Sequence, residues 1–136
     1  MYGAILGDMI GAPYEFSRGN KTKEFRLFGE RTRFTDDTVM TLAVAKALCE
    51  TLGSDDEIIK IAVVKSMRKW GRKYPNVGYG RRFYLWLAEE DTQPYGSFGN
   101  GSAMRVSSAG WLHQTFRKHC IWHNLQRKLH IIIRKA

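Results

Sequence analysis

Thr35-Asp36-Asp37-Thr38 sets two adjacent carboxylates between two hydroxyls. Oxygen donors of that kind are what a hard divalent cation such as magnesium takes, with waters completing its octahedron. The same residues read equally as a helix start: Thr35 as N-cap, with Asp36 and Asp37 favouring the positive end of the helix dipole by roughly 0.3–1 kcal/mol each. A second candidate is Tyr14-Glu15-Phe16, a carboxylate between two aromatic residues. Apolar surroundings raise a glutamate pKa and suit it to acid/base work, whereas an open loop would leave it an ordinary surface residue. The third is the run Gly96, Ser97, Phe98, Gly99, Asn100, Gly101, Ser102. Its glycines let backbone N–H groups turn toward an anion ahead of a helix, though a plain flexible turn has the same composition.

These residues depend on the helices that carry them. Ala4, Ile5, Met9, Ile10 and Ala12 predict a short buried helix that Pro13 ends, leading to a loop that bears Glu15. Residues 17–35 are polar, without sustained period, and read as a long surface loop of a length that is often functional. Val39, Met40, Leu42, Ala43, Ala47 and Leu48 form an apolar stripe among strong helix formers from Asp36 to Thr51, and Gly53 closes it. Ser54 and Glu57 have the spacing of a capping box, followed by an apolar face of Ile58, Ile61, Ala62, Met67 and Trp70. A further helix is expected from about Arg81 to Glu90, with Phe83, Leu85, Trp86 and Leu87 inward, and a last one from about Ala103 to Thr115. No segment alternates usefully at period two, so the expected class is all-α.

Composition narrows the function. At 136 residues, 43% of them hydrophobic, the chain can form one domain and not a multidomain enzyme. No apolar run reaches the roughly 18 residues of a membrane span, and the start carries Asp8 and Glu15 without a basic leader, so a soluble cytoplasmic protein with no membrane partner is expected. Cys49 and Cys120 are too few for a disulfide framework or a zinc site. The net charge of +9 suggests nucleic acid until its distribution is examined. Residues 1–116 hold 16 basic and 13 acidic side chains, a balance of +3, while residues 117–136 hold six basic and no acidic ones. The excess belongs to the tail, and no nucleic-acid partner is expected.

Taken in order, G-A-I-L-G-D-M-I-G-A-P-Y-E-F at 3–16, F-T-D-D-T-V-M-T-L-A at 34–43, G-Y-G at 78–80 with Trp86, and S-F-G-N-G-S-A-M-R-V at 97–106 resemble the ADP-ribosylglycohydrolase family across nearly all of residues 1–116. The resemblance implies an all-helical bundle and a magnesium-dependent hydrolase, with manganese the other candidate metal. Such an enzyme cleaves the glycosidic bond joining ADP-ribose to a protein side chain or a small molecule. By motif match, Thr35, Asp36 and Asp37 are ligands of the first metal, and Glu15 is the glutamate beside the scissile ribose. Gly96 to Ser102, with Met104, match the segment around the diphosphate and distal ribose. The chemistry is consistent: an oxocarbenium-like transition state needs negative charge and an activated water nearby. An alternative from another class is a non-catalytic module that binds ADP-ribose.

Family members run to about twice this length and complete a two-metal site with a second aspartate-rich motif that is absent here, so only the first half-site is expected. The tail after Phe116 resembles nothing in the family. Shifted by one base, codons permitted for residues 116–120 read F-E-E-T-L, and those permitted for residues 126–136 read A-E-V-T-H-N-H-P-E-G, which resembles the family at this place. Residues 1–116 are therefore expected to be the N-terminal part of the domain, and 117–136 an out-of-frame tail without native structure. On that reading His119, His123 and His130 are not a metal cluster. Val39, Leu42, Ile58, Ile61 and Trp86 should lack packing partners, at about 2–5 kcal/mol for each large residue left beside a void. The 136-residue chain is expected to fold poorly and to have little activity.

Overall fold

A computed structural model describes residues 1–16, 22–90 and 101–115, without the side chains of 102, 106 and 111–115. Its helices are α1 (Tyr2–Gly11), α2 (Asp36–Glu50), α3 (Asp56–Lys73), α4 (Arg81–Ala88) and α5 (Gly101–Thr115), with a 3₁₀ turn over Ala12–Tyr14. No strand occurs among the described residues, as the sequence led us to expect. The tail 117–136 and the residues Gly96 to Asn100 lie outside them.

Helix α2 is apolar almost all round. Val39, Met40, Ala43, Val44, Ala45, Ala47 and Leu48 are buried, together with Thr38 and Thr41. A helix of that kind belongs at the centre of a bundle. Helices α1, α3 and α5 pack on it, and α4 packs on α3. Hydroxyls tie the layers where Ala-rich surfaces bring backbones close: Ser66 Oγ donates to the Ala43 carbonyl at 2.7 Å, linking α3 to α2. Between α2 and α5 the bonds are reciprocal. Thr41 Oγ1 donates to the Met104 carbonyl at 3.0 Å, and Ser108 Oγ donates to the Thr41 carbonyl at 2.8 Å.

Helix α4 seats Phe83, Trp86 and Leu87 in the core. Its approach to α3 depends on Gly71: a Cβ there would lie 2.6 Å from Leu87 Cδ1 and 2.8 Å from Cδ2. Arg68 closes the far side, its guanidinium 4.9 Å from the Trp86 ring centroid while Nη1 donates to the Glu90 carbonyl.

Five expectations are corrected. Helix α1 forms but contains no buried residue; Tyr2 is 85% and Leu6 46% exposed, because only its α2-facing side is covered among the described residues. The Ser54–Glu57 box does not form: Asp55 is the N-cap of α3, Ser54 N donates back to the Thr51 carbonyl, and Glu57 pairs with Lys60. The inward face of α3 is Ile59, Val63, Val64, Met67 and Gly71, while Ile58 and Ile61 point to solvent. That face is the one α2 and α4 contact; of the predicted residues, Met67 is buried in it and Ala62 and Trp70 pack against it. Leu85 is likewise exposed on α4. Helix α5 starts at Gly101, two residues before the expected Ala103.

Candidate active site

The half-buried Asp8 carboxylate, on α1, is the fixed point of the site. Oδ2 accepts from the backbone N–H of Thr35 at 2.8 Å and of Thr38 at 3.2 Å. Both hydroxyls donate to it as well, Thr35 Oγ1 to Oδ1 and Thr38 Oγ1 to Oδ2, each at 2.5 Å. One carboxylate thus satisfies two of the N–H groups that a helix start leaves open, and places negative charge at the positive end of α2. Thr35 is also the N-cap read from the sequence, its Oγ1 accepting from Asp37 N at 3.4 Å. The capping reading and the site reading therefore coexist, because Asp8 fixes the orientation of the Thr35 hydroxyl.

Asp36 and Asp37, both half-buried, follow in the first turn. The Asp36 N–H donates to the Val77 carbonyl at 3.0 Å, which draws residues 77–80 across the helix start. Gly78 makes that passage at φ +102°, a left-handed conformation that other residues rarely adopt, and a Cβ there would lie 3.7 Å from Asp36 Oδ1. Burial, then the neighbouring Asp37 charge, with a smaller push from Glu15, raises the Asp36 pKa to about 6. Asp37 is raised too, by burial first and then by Asp8 and Glu15, while Arg105 opposes both shifts. Burial and the Asp36 charge push the Tyr79 phenol upward.

Glu15 is exposed just past the 3₁₀ turn, close enough for its charge to act on both aspartates. Thr35, Asp36 and Asp37, singled out from sequence, sit together at the start of α2, and the charge of Glu15, the fourth, reaches both aspartates. From the glycine-rich segment, Gly101 is buried at the start of α5. Gly96 to Asn100 and the Ser102 side chain lie outside the described residues. Met104 packs its side chain against the core while its carbonyl accepts from Thr41.

Three residues escaped the sequence reading. Asp8 was visible only as part of a common G-D pair. Tyr79 lay within the quoted G-Y-G. Arg105 lay within M-R-V; it is 2% exposed, its guanidinium sits 4.1 Å from the Phe83 ring centroid and lies against Gly101, and its charge reaches both aspartates.

Two adjacent carboxylates, both raised in pKa chiefly by burial, beside an oriented hydroxyl are, in kind, donors for a hard cation. In number they are not a full set: among the described residues no three His, Cys, Asp or Glu side chains converge as ligands.

Comparison with known proteins gives the family. The family model described as ADP-ribosylglycohydrolase matches residues 1–123. The ADP-ribosylhydrolase ARH3 of Xenopus tropicalis is 32% identical over 128 residues, covering 78% of this chain. The matched part is 36% of that relative's length. No solved structure matches. The chain belongs to the ADP-ribosylglycohydrolase family.

Proposed function

We propose that the start of α2 is the first half of a divalent-metal site in a hydrolase that cleaves the glycosidic bond between ADP-ribose and a protein side chain or small molecule. The observation that carries this reading is the start of α2, where Asp8 holds Thr35 beside the half-buried Asp36 and Asp37, burial raises the Asp36 pKa to about 6, and the Glu15 charge reaches both aspartates. Such a cluster lacks positive charge, and Arg105 supplies only part of it. Thr35, Asp36 and Asp37 would hold magnesium or manganese, which when bound would offer Lewis acidity and a more acidic water. Asp8 keeps the Thr35 hydroxyl oriented. Glu15, on the open side, accepts a proton or a ribose hydroxyl, and its negative charge suits an oxocarbenium-like transition state. Gly96 to Ser102 and Met104 cradle the diphosphate.

Chromatographic assay of ADP-ribose released from an ADP-ribosylated protein tests this. Magnesium-dependent release, reduced by at least about a hundredfold in Glu15→Gln and Asp36→Asn, is expected of the hydrolase. The second reading, a non-catalytic ADP-ribose-binding module, is favoured by the incomplete ligand set. Calorimetric binding of ADP-ribose without release would support it, and absence of both would defeat the two together.

We further propose that residues 117–136 are read out of frame and that the 136-residue chain, holding one half-site, turns over slowly. Resequencing around codon 117 and assaying the restored chain would decide this; turnover by the present chain equal to the restored one would contradict it. No helix among the described residues is long and apolar enough to cross a membrane. The cytoplasm remains our proposed location.

A further inference from the structure

Next to Glu15 along the chain, with none of Asp8, Asp36 or Asp37 in its lining, lies a groove of about 390 Å³ between the 3₁₀ turn and the loop 22–35. Pro13 and Tyr14 form one wall; Arg26, Glu30 and Arg31 line the other. A second recess of about 300 Å³ shares Pro13 and Arg31 with it and extends to Phe16 and Arg33. The loop has no regular secondary structure, yet it is pinned along its length. Tyr14 Oη donates to the Arg26 carbonyl at 2.9 Å, and the Tyr14 ring meets Phe25 edge-on at 5.2 Å between centroids. Gly29 N donates to Thr32 Oγ1 at 2.8 Å, Thr32 N returns a bond to the Gly29 carbonyl, and Thr35 N ends on Asp8.

Arg26, Arg31 and Arg33 are exposed and make no ion pair among the described residues. Guanidinium groups lining a groove on a pinned backbone select anions, carboxylates and phosphates above all, through paired N–H donors. Glu30 stands among them, which disfavours a continuous chain of phosphates while leaving separate places for isolated carboxylates. The apolar wall of Pro13, Tyr14 and Phe16 suits the backbone and methylene groups of a peptide. We propose that this groove binds an acidic stretch of the polypeptide that carries the ADP-ribose, so that substrates with glutamate or aspartate near the modified residue are preferred. The proposal rests on the hydrolase reading above, since it makes this side of Glu15 the acceptor side.

Fluorescence anisotropy tests it with a short labelled peptide of alternating glutamate and alanine, and its glutamine–alanine counterpart, on the full chain. The glutamate peptide should bind at least about tenfold more tightly, weaken as salt screens the contact, and lose its advantage in Arg26→Gln/Arg31→Gln. Saturating ADP-ribose should leave it bound. Equal binding of the two peptides, an undiminished preference in the double variant, or displacement by ADP-ribose would each overturn the proposal, the last because the arginines would then serve the diphosphate. Arg31→Gln alone, with its thermal unfolding recorded, guards against a folding defect in the double variant and should lose part of the preference. Peptide binding is read whether or not ADP-ribose binds, so a failure of the hydrolase reading shows separately in calorimetry with ADP-ribose.

Discussion

Asp8 accepts from two backbone N–H groups and two hydroxyls, and removing its carboxylate strands all four donors at the start of α2. Asp8→Ala should therefore lower stability by about 2–3 kcal/mol in urea unfolding, the range for a lost cap together with charged hydrogen bonds. Asp36 gives a pH signature. Its pKa rises from 3.8 to about 6 on folding, so its stabilising contribution is complete below about pH 4 and disappears as pH climbs through about 6. In EDTA, Asp36→Asn should gain on the natural chain as pH rises over that window; a difference in urea midpoint that stays flat with pH would contradict the shift. Thr35, Asp36 and Asp37 were legible because adjacency is visible in a sequence. Asp8 was not, since it lies 27 residues from Thr35 and nothing local says where its oxygens go. Arg105 was hidden because a buried arginine looks like any other until its ring contact and neighbouring charges are known.

Among elements, the close approach of α3 and α4 at Gly71 is the sharpest test. Leu87 is 4% exposed and has little room to retreat, so Gly71→Ala should destabilise by about 1–3 kcal/mol through overpacking. Combining it with Leu87→Ala should give less than the sum of the single losses, because the shortened side chain makes the space. Strict additivity in chemical denaturation would show that the two do not meet. The helices themselves were legible from period and composition, and α2 and α4 turned their predicted large residues inward apart from Leu85 and the half-buried Leu42. The facing of α3 was not, because Ile58-Ile59-Lys60-Ile61 offers apolar residues on adjacent sides and only the position of α2 and α4 decides between them. The supposed box at Ser54 failed for a similar reason: the turn after α2 claimed its N–H before the next helix began.

Across the whole molecule, apolar side chains remain uncovered on α1, α3 and α4: Tyr2, Leu6, Ile58, Ile61 and Leu85 are all at least 46% exposed. The matched segment is 36% of the length of its frog relative. We expect the 136-residue chain to bind 8-anilinonaphthalene-1-sulfonate strongly and to melt over a broad range, checked by dye fluorescence and calorimetry; a sharp transition without dye binding would contradict this. The family was legible because four separated motifs coincided in order, whereas the completeness of the site is a property of the whole bundle. The most direct measurement is titration of ADP-ribose into the chain by calorimetry, in magnesium and in EDTA, with Asp36→Asn/Asp37→Asn alongside. Binding at least about tenfold tighter in magnesium is expected, with that gain absent from the double variant. Equal affinity in magnesium and EDTA, or a magnesium effect that survives the loss of both carboxylates, would contradict it.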